Sequence, residues 1–486
     1  MKRAAAPAAL LAASLVAALS CSSPTPSPAV EPLPCAGPSF EGAPLSVRCG
    51  TLFDAQGREV FLTGINARVA GVFDVTFDDG RAPLEEIPAF TADDVRRMRA
   101  LGFGALRLPI NWSGLEPREA GPFDAGYLER VAGAVDVARA AGLLVLIDVH
   151  QDAYSKEIGE DGAPLWAILP PPPKLLGGPL TDLEARRLSK PVLDAFETFF
   201  GDGPDGVRLR GRFARMVAHV AARFANDSAV IGFEIFNEPL TTEKKLTSFH
   251  AEVLAAVRAA APRKLVLFEP SATRNFTDRA PVPSSPLGPG TVYAPHVYTA
   301  SFGSEATRDA VTRDAVAGSY RAAREEADGW QAPLMVTEIG FPPEHPKFGP
   351  YLSWHAELAE ELHASTFLWV WKESSQGSWG LFDRAADGGW VERAKVTSAL
   401  ARVRIEAVAG RMVTVRHPDG PGSLVVEIEG IAASRENLVS LGAHHVLSRA
   451  TCDGAEVVAT AGEPVRVNCG GPGRHVLEVR AARRTP

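Results

Sequence analysis

The chain carries, at residues 230–239, the run VIGFEIFNEP, an apolar stretch that closes on Glu238 and Pro239. A second run, LMVTEIGF at residues 334–341, holds Glu338 in the corresponding place. Runs of about four to eight β-branched or aromatic residues bounded by Pro or Gly are typical of buried β-strands. A carboxylate at the carboxyl end of such a strand costs stability, so its presence there indicates chemistry.

Further segments have the same strand character, and helical segments separate them. A helix start at Thr91 and stop signals at Gly102 and Gly142 support this alternation. The predicted strands lie at residues 59–66, 103–109, 143–149, 230–238, 264–269, 291–298, 334–341 and 366–372. A doubly wound sheet has the same local pattern, but polar residues close nearly every strand, which favours a (β/α)8 TIM barrel over residues 41–400.

Residues with reactive or hydrogen-bonding side chains close the predicted strands. They are Arg107, Asp148, His150, Asp152, Asn237, Glu238, His296, Tyr298, Glu338, Trp369 and Trp371. Two carboxyl groups about 5 Å apart can act as general acid and nucleophile and cleave a glycosidic bond with retention. We therefore predict that Glu238 is the acid/base and Glu338 the nucleophile. Glu269 also precedes a proline, but no Asn stands before it, so it is not expected to be the acid.

These roles make demands on the neighbouring side chains. Glu238 must hold a proton near neutral pH, and burial beside a second carboxylate is expected to raise its pKa. Arg107 and Tyr298 would favour the ionised nucleophile, and Asn237 suits the sugar 2-hydroxyl. The two histidines would bind hydroxyls or orient the carboxylates. Either tryptophan of the last strand could stack on a sugar ring, since residues two apart point the same way.

Six motifs, in this order, resemble glycoside hydrolase family 5 of the retaining (β/α)8 glycosidases. They are Arg-Leu-Pro at 107–109, Asp-Val-His-Gln at 148–151, Asn-Glu-Pro at 237–239, His-Val-Tyr at 296–298, Thr-Glu-Ile-Gly at 337–340 and the Trp of the last strand. The runs DVHQDAYS at 148–155 and GAPLW at 162–166 resemble the endoglycoceramidase branch, which cuts between an oligosaccharide and ceramide. The resemblance implies substrate contacts for Asp148, Asp152 and Trp166. Where that branch has a Lys after the first-strand Asn, this chain offers only Arg68.

The expected substrate is a glycolipid or an oligosaccharide. No cofactor and no metal are expected, because no Cys-x-x-Cys or His-x-x-x-His spacing occurs. The loop at 165–178, LWAILPPPPKLLGG, is apolar and stiffened by proline, and it would present an apolar rim to lipid. Three alternatives stay open: a soluble β-glucan or mannan endo-hydrolase, a steryl or lipid β-glucosidase, and a glycan-binding lipoprotein without catalysis.

The amino terminus predicts export. Residues 1–21 have a basic start, an apolar stretch and the ending ALSC, which resembles a bacterial lipobox with Cys21 as the lipidated residue; an ordinary secretory cleavage site is the alternative. Residues 22–40 are rich in Pro and Ser and indicate a tether. We expect a monomer held at a membrane surface by a lipid anchor, in the cell envelope or outside the cell.

The cysteines indicate the cellular compartment, and the charge balance excludes one class of partner. Two sequence-local cysteine pairs, Cys35 with Cys49 and Cys452 with Cys469, are favoured among three connectivities and suit an oxidising space. Lys plus Arg number 50 against 58 Asp plus Glu, and no basic block appears, so nucleic acid is excluded as a partner. Residues 401–486 show short alternating runs with Gly, Pro and Asp turns, which predict a small antiparallel β-sandwich.

Overall fold

A computed structural model describes residues 38–283, 285–375, 379–430 and 434–484. The predicted signal segment, Cys21 and Cys35 lie outside the described residues, so the lipid anchor and the first cysteine pair remain predictions. Within the described ranges, no helix combines the length and apolar character needed to cross a membrane.

The barrel forms from parallel strands after a short antiparallel entry. The entering strands are β1 (Ser46–Arg48), β2 (Thr51–Phe53) and β3 (Glu59–Val60). The parallel strands are β4 (Thr63–Asn66), β5 (Ala105–Ile110), β6 (Leu144–Val149), β7 (Val230–Glu234), β8 (Leu265–Phe268), β9 (Thr291–Tyr293), β10 (His296–Val297), β11 (Leu334–Ile339) and β12 (Ala364–Leu368). Strand β12 pairs with β4, which closes the sheet, and β9 and β10 share the sixth position. The predicted eight-stranded barrel is therefore confirmed.

Helices connect the strands and begin and end at the signals expected. They are α1 (Ala92–Ala100), α2 (Trp112–Leu115), α3 (Ala125–Ala140), α4 (Leu183–Arg187), α5 (Lys190–Phe199), α6 (Pro204–Phe224), α7 (Glu243–Ala260), α8 (Arg274–Thr277), α9 (Glu305–Ala310), α10 (Arg313–Trp330) and α11 (Phe348–Glu361). Thr91 and Asp94 form a reciprocal capping box on α1, and Gly102 follows it with φ +88°. Two helices, α9 and α10, follow the sixth strand in place of one continuous helix, because Thr312 caps the second.

Apolar side chains fill the barrel interior below the strand ends. Met335 and Phe367 are fully buried there, and Leu45 and Val47 of the entry pack on the same cluster. A Cβ on Gly64 would lie 2.1 Å from the Phe367 ring, so the first strand needs glycine at that point. This layer supplies stability that the polar strand ends do not.

The carboxyl-terminal part is a β-sandwich, as predicted. A hairpin of β13 (Phe382–Arg384) and β14 (Trp390–Glu392) and helix α12 (Ala394–Ala399) lead into it. Its strands are β15 (Arg404–Val408), β16 (Arg411–Arg416), β17 (Ser423–Gly430), β18 (Glu436–Ser440), β19 (His445–Cys452), β20 (Ala455–Glu456), β21 (Ala459–Thr460), β22 (Val465–Asn468) and β23 (Gly473–Arg483). The sheets run β1-β2-β3-β15-β18-β22-β21 and β16-β17-β23-β19-β20.

The sheet order moves the predicted domain boundary. Strands β1 to β3 belong to the sandwich sheet, since β3 pairs with β15, so residues 46–60 are not part of the barrel as the 41–400 boundary implied. Buried Glu59 connects the barrel and the sandwich, because it accepts hydrogen bonds from the Met412 amide and from His363 Nδ1. Cys452 and Cys469 are joined by a disulfide within the sandwich, with their Cα atoms 5.3 Å apart.

Candidate active site

The two glutamates singled out by sequence meet at the carboxyl end of the barrel. Glu338 lies in β11, directly beside His296 of β10. Glu238 follows β7 with a left-handed φ of 42°, which turns its side chain toward the same point. One oxygen of Glu238, one oxygen of Glu338 and one nitrogen of His296 all lie within 4.8 Å of one another. The structure therefore brings the predicted acid and nucleophile together.

Arg107 anchors the nucleophile from the centre of the site. Its guanidinium donates to Glu338 Oε1 and Asn237 Oδ1, and to Glu234 Oε2 at 2.6 Å. Burial would lower the pKa of Arg107, but the charges of its carboxylate neighbours raise it well above the ordinary value, so the cation persists. Glu234 is thereby a buried structural partner of Arg107. Asn237 also lines the cavity beside Glu238.

Tyr298 holds the other oxygen of the nucleophile. Its hydroxyl donates to Glu338 Oε2 at 2.7 Å. Burial, reinforced by the charge of Glu338, raises the pKa of Tyr298 well above its usual range, so the phenol stays protonated and remains a donor. With Arg107 on one oxygen and Tyr298 on the other, the Glu338 carboxylate is fixed in orientation.

Glu238 is held differently from the prediction. Its Oε1 accepts hydrogen bonds from His296 Nδ1 at 2.8 Å and from Asn275 Nδ2 at 2.6 Å. Burial acts to raise the pKa of Glu238, but the His296 hydrogen bond and the positive charges of His296 and Arg187 lower it to about 2. The predicted rise is not found, because the sequence showed the neighbouring carboxylate but not these donors.

The surroundings of His296 favour its protonated form. Burial alone would lower the pKa of His296, but the charges of Glu338 and Glu238 and the hydrogen bond to Glu238 raise it. The pair therefore favours a proton stored on the imidazole beside the Glu238 carboxylate. Asn275 had no signal in the sequence, because it lies on the short helix α8 after the fifth strand and outside any strand-end motif.

His150 and Asp148 form a second histidine–carboxylate pair. His150 Nδ1 donates to Asp148 Oδ2 at 2.6 Å, and Asp148 is fully buried beside Arg107. Burial raises the pKa of Asp148 to about 6 and lowers that of His150 to about 4. His150 lines the cavity and Asp148 does not, so the substrate contact expected of Asp148 stays a prediction. Asp148 orients the imidazole.

A cavity of about 350 Å³ opens over the two glutamates. Its lining residues are His150, Asp152, Glu160, Leu183, Glu184, Arg187, Asn237, Glu238, Tyr298, Phe302, Glu338, Trp369, Glu373, Ser375 and Trp379. Trp369 stacks on His150, with ring centroids 5.5 Å apart and 10° between the planes. Sequence reasoning missed Arg187, Phe302 and Trp379, which come from loops and from short helix α4 without a strand-end signal.

Two of the tryptophans expected at the substrate do not line the cavity. Trp371 is buried, donates Nε1–H to Asp94 and packs on Phe382, away from the cavity. Strand β12 ends at Leu368, so the two-residue alternation that gave both tryptophans one face does not continue through Trp371. Trp166 donates to the Glu116 carbonyl and does not line the cavity.

Arginine side chains form ion pairs with the acidic side chains that line the cavity. Asp152 lines the cavity and accepts from Arg187 Nε at 2.8 Å. Arg68, which follows the first strand, is buried and bridges Glu160 and Glu373, so it reaches no sugar directly. Arg68 thereby positions two carboxylates that line the cavity.

Loop 165–178 is partly exposed, and the apolar rim expected of it stays a prediction. Leu165 is 44% exposed, whereas Ala167 and Ile168 are buried and the Leu176 amide donates to the Glu157 carbonyl. Exposed aromatic surface lies elsewhere at the mouth: Phe302 is 40% exposed and contacts the Tyr298 ring at 4.7 Å, and Phe276, 69% exposed, lies next to it.

Side chains able to ligate a metal coincide with the reacting groups. In the described part of the chain, such groups are Glu238 with His296 and Glu338, Glu234 with Glu269 and His296, and Cys452 with Asp453 and His475. The first two share His296, and the third contains a disulfide cysteine. The expectation that no metal or cofactor is used stays a prediction.

Comparison with known proteins places this arrangement in a family. The family described as Cellulase (glycosyl hydrolase family 5) matches residues 54–375. Endoglycoceramidase I of Rhodococcus hoagii is 30% identical over 267 residues, 51% of this chain and 51% of the relative. Ergosteryl-beta-glucosidase of Saccharomyces cerevisiae is 27% identical over 139 residues, 24% of this chain and 18% of the relative. The chain thus spans about half the length, or less, of these curated relatives.

Among solved structures, endo-glycoceramidase II from Rhodococcus sp. superposes with a TM-score of 0.70 at 24% identity, over 88% of this chain and 99% of that one. At that identity the likeness concerns the fold, a barrel followed by a sandwich. The family match covers the barrel and every strand-end residue of the site between Arg107 and Trp371. The chain belongs to glycosyl hydrolase family 5.

Proposed function

We propose that the protein is a retaining β-glycosidase that hydrolyses the bond between the glycan and the ceramide of glycosphingolipids. The observation that carries the proposal is the pair of Glu238 and Glu338 oxygens within 4.8 Å of each other in one cavity. Retaining enzymes hold their carboxyl groups about 5 Å apart, whereas inverting enzymes leave room for a water at about 6.5–9.5 Å.

The contacts assign a step to each residue. Glu338 attacks the anomeric carbon, forming a carbon–oxygen bond to the enzyme while the bond from that carbon to the aglycone oxygen breaks. Glu238 gives its proton to that oxygen. Water then attacks the anomeric carbon and returns a proton to Glu238, and Glu338 leaves as a carboxylate. Substrate that excludes water from the cavity favours the neutral form of the His296–Glu238 pair, which moves the stored proton to Glu238.

An apolar leaving group is supported by the cavity mouth. The aglycone must lie on the side of Glu238, the group that protonates its oxygen. Phe302 and Trp379 stack at the mouth, with ring centroids 5.6 Å apart, and Phe276, which directly follows the Glu238 partner Asn275, contacts Phe302. The same cavity holds the polar groups His150, Asp152 and Glu160, which suit sugar hydroxyls. The relatives named endoglycoceramidase and glucosylceramidase agree with a substrate that has a polar and an apolar part.

Product analysis tests the proposal. Lactosylceramide in detergent, a steryl β-glucoside and soluble cello- and manno-oligosaccharides are incubated separately with the enzyme. Release of intact lactose and ceramide, faster than any cleavage of the soluble glucans, is expected. Exclusive cleavage of soluble glucans would contradict the lipid substrate, and Glu238→Gln and Glu338→Gln report contaminating activity. Trapping with a 2-fluoro glycoside should label Glu338.

A steryl β-glucosidase is the second candidate, favoured by the match to ergosteryl-beta-glucosidase. The same assay separates the two, since that enzyme would release glucose and sterol faster than lactose and ceramide. In that case the leaving group would be a planar sterol, and the aromatic surface at Phe276 and Phe302 would face it.

We also propose that the protein is exported, anchored through lipid on Cys21 and monomeric. The support is the amino-terminal sequence and the disulfide between Cys452 and Cys469, a bond of oxidising compartments. Mass analysis of the mature protein should show a lipidated cysteine at its start, and Cys21→Ser should release it from the membrane fraction. Light scattering of the released form should give the mass of a single chain.

A further inference from the structure

Glu269 is a buried carboxyl in the middle of the site that the steps above do not use. It follows β8 directly and is 3% exposed. Its Oε2 accepts a hydrogen bond from the Glu238 backbone amide at 3.1 Å, and its Oε1 lies 3.6 Å from Arg107 Nη2. A buried acid costs stability, so its presence against Glu238 calls for a reason.

The nearest group that this carboxyl could act on is Nε2 of His296. The imidazole has two nitrogens with different partners: Nδ1 bonds to Glu238, whereas Nε2 lies 3.4 Å from Glu269 Oε2. Nε2 is buried and has no hydrogen-bond partner among the described residues. Contacts of this kind in empty sites are often long and tighten when substrate is bound.

The tautomer of His296 decides whether Glu238 can hold a proton. If neutral His296 keeps its proton on Nδ1, it donates to Glu238 and stabilises the carboxylate. If it keeps the proton on Nε2, the bare Nδ1 accepts from protonated Glu238. The proton on the imidazole is held by whichever nitrogen faces an acceptor.

We infer that Glu269 is a positioning residue that keeps the proton on Nε2 of His296 and thereby allows Glu238 to act as a general acid. The inference rests on the proposed glycosidase function. Oε2 of Glu269 suits the task, because it already accepts from the Glu238 amide and presents an accepting oxygen to Nε2. When the proton stored on the imidazolium moves from Nδ1 to Glu238 Oε1, the proton on Nε2 stays in place and His296 becomes neutral.

Other charged groups face this pair from each neighbouring strand. Glu269 is flanked by Arg107, Asp148, Glu234 and Glu238, and His296 Nδ1 also lies 3.5 Å from Glu338. Burial, with the charge of Glu234, raises the pKa of Glu269 well above its usual range. The neutral carboxyl still offers a carbonyl oxygen to the two N–H groups.

Glu269→Met tests the inference, because methionine keeps the length of the side chain but removes the oxygen that accepts from Nε2. The assay compares kcat/KM on two glycosides of the same sugar, an alkyl glycoside whose leaving oxygen needs a proton and a dinitrophenyl glycoside that needs none. We expect a loss of about 100-fold on the alkyl glycoside and less than about threefold on the dinitrophenyl glycoside. The basic limb of the pH profile on the alkyl glycoside should move to lower pH, and Glu269→Asp, which keeps an accepting oxygen, should recover part of the rate.

Glu59→Met is the matched control, the same change at a buried glutamate at the junction with the sandwich, and it should change neither rate. Equal losses of Glu269→Met on both glycosides would mean that Glu269 only supports the fold, and the inference would be overturned while the glycosidase function stood. Absence of wild-type hydrolysis of both glycosides would overturn both. Where Glu269→Met fails to fold, ¹⁵N shifts of the wild-type imidazole in the 2-fluoroglycosyl enzyme decide: a proton on Nε2 supports the inference, and one on Nδ1 overturns it.

Discussion

The two ends of the barrel differ in what they bury. At the carboxyl end, four carboxylates surround Arg107, from Asp148, Glu234, Glu269 and Glu338. Below them, Met335 and Phe367 form an apolar layer that the entering strands β1 and β2 cover. Packed apolar groups stabilise a fold, whereas a surplus of buried acid destabilises it. The comparison indicates that one end holds the reactive groups at a cost in stability and the other end offsets that cost.

Removing the nucleophile should separate activity from stability most clearly. Glu338→Gln keeps an oxygen for Arg107 but cannot form the glycosyl ester, so kcat should fall by at least about 10⁴-fold. Its melting temperature should be no lower than that of the wild type, since one buried charge is gone. Initial rates and thermal unfolding measure the two effects. A melting temperature well below the wild type would mean that the carboxyl end also stabilises the fold.

The reverse result is expected at the apolar layer. Phe367→Ala opens a cavity beside Gly64 and should cost about 3–5 kcal/mol in the free energy of unfolding. The folded fraction should keep kcat within about twofold, because the site residues are held by separate hydrogen bonds. Urea unfolding and active-site titration with the 2-fluoro glycoside give the two numbers. A large fall in kcat per titrated site would mean that the apolar layer also supports catalysis, which contradicts the comparison.

The sequence alone predicted much of this difference between the reactive end and the apolar layer of the barrel. Strand residues such as Arg107, His296 and Tyr298 were found because each interrupts or closes an apolar run. Asn275 and Arg187 could not be found, because they lie on short helices whose approach to Glu238 depends on tertiary packing.

The errors have the same origin. The family resemblance implied a substrate contact for Asp148, whereas the structure shows it as the buried partner of His150. The boundary at residue 41 failed because strand pairing between β3 and β15 is long-range and leaves no local signal. Eight strands and two domains were predictable, since periodicity within one segment encodes them.

The ion pair between His296 and Glu238 predicts how stability depends on pH. The pKa of Glu238 is lowered from 4.5 to about 2, so its contribution is present above 4.5 and is lost as pH falls toward 2. The pKa of His296 is raised from 6.5, so its contribution is present below 6.5 and is lost as pH rises through the raised value. The stability difference between wild type and Glu238→Gln should therefore be largest between about pH 4.5 and 6.5, at no more than about 3 kcal/mol. Urea unfolding across pH 3 to 9 (about one unit per step) measures it, and a flat difference would show that the pair is not ionised.

The two tryptophans after β12 give the finest test, because they are two residues apart and should behave oppositely. Trp369 lines the cavity and stacks on His150, so Trp369→Phe should raise KM about three- to tenfold without changing the melting temperature. Trp371 is buried and donates to Asp94, so Trp371→Phe leaves a buried acceptor with one donor fewer and should cost about 1–3 kcal/mol of unfolding free energy with KM unchanged. Lys372 also pairs with Asp94, which favours the lower part of that range. If Trp371→Phe raised KM instead, Trp371 would be a ring that stacks on the sugar, as the simple alternation of side chains predicts. The reactive end of the barrel would then extend further toward the apolar layer.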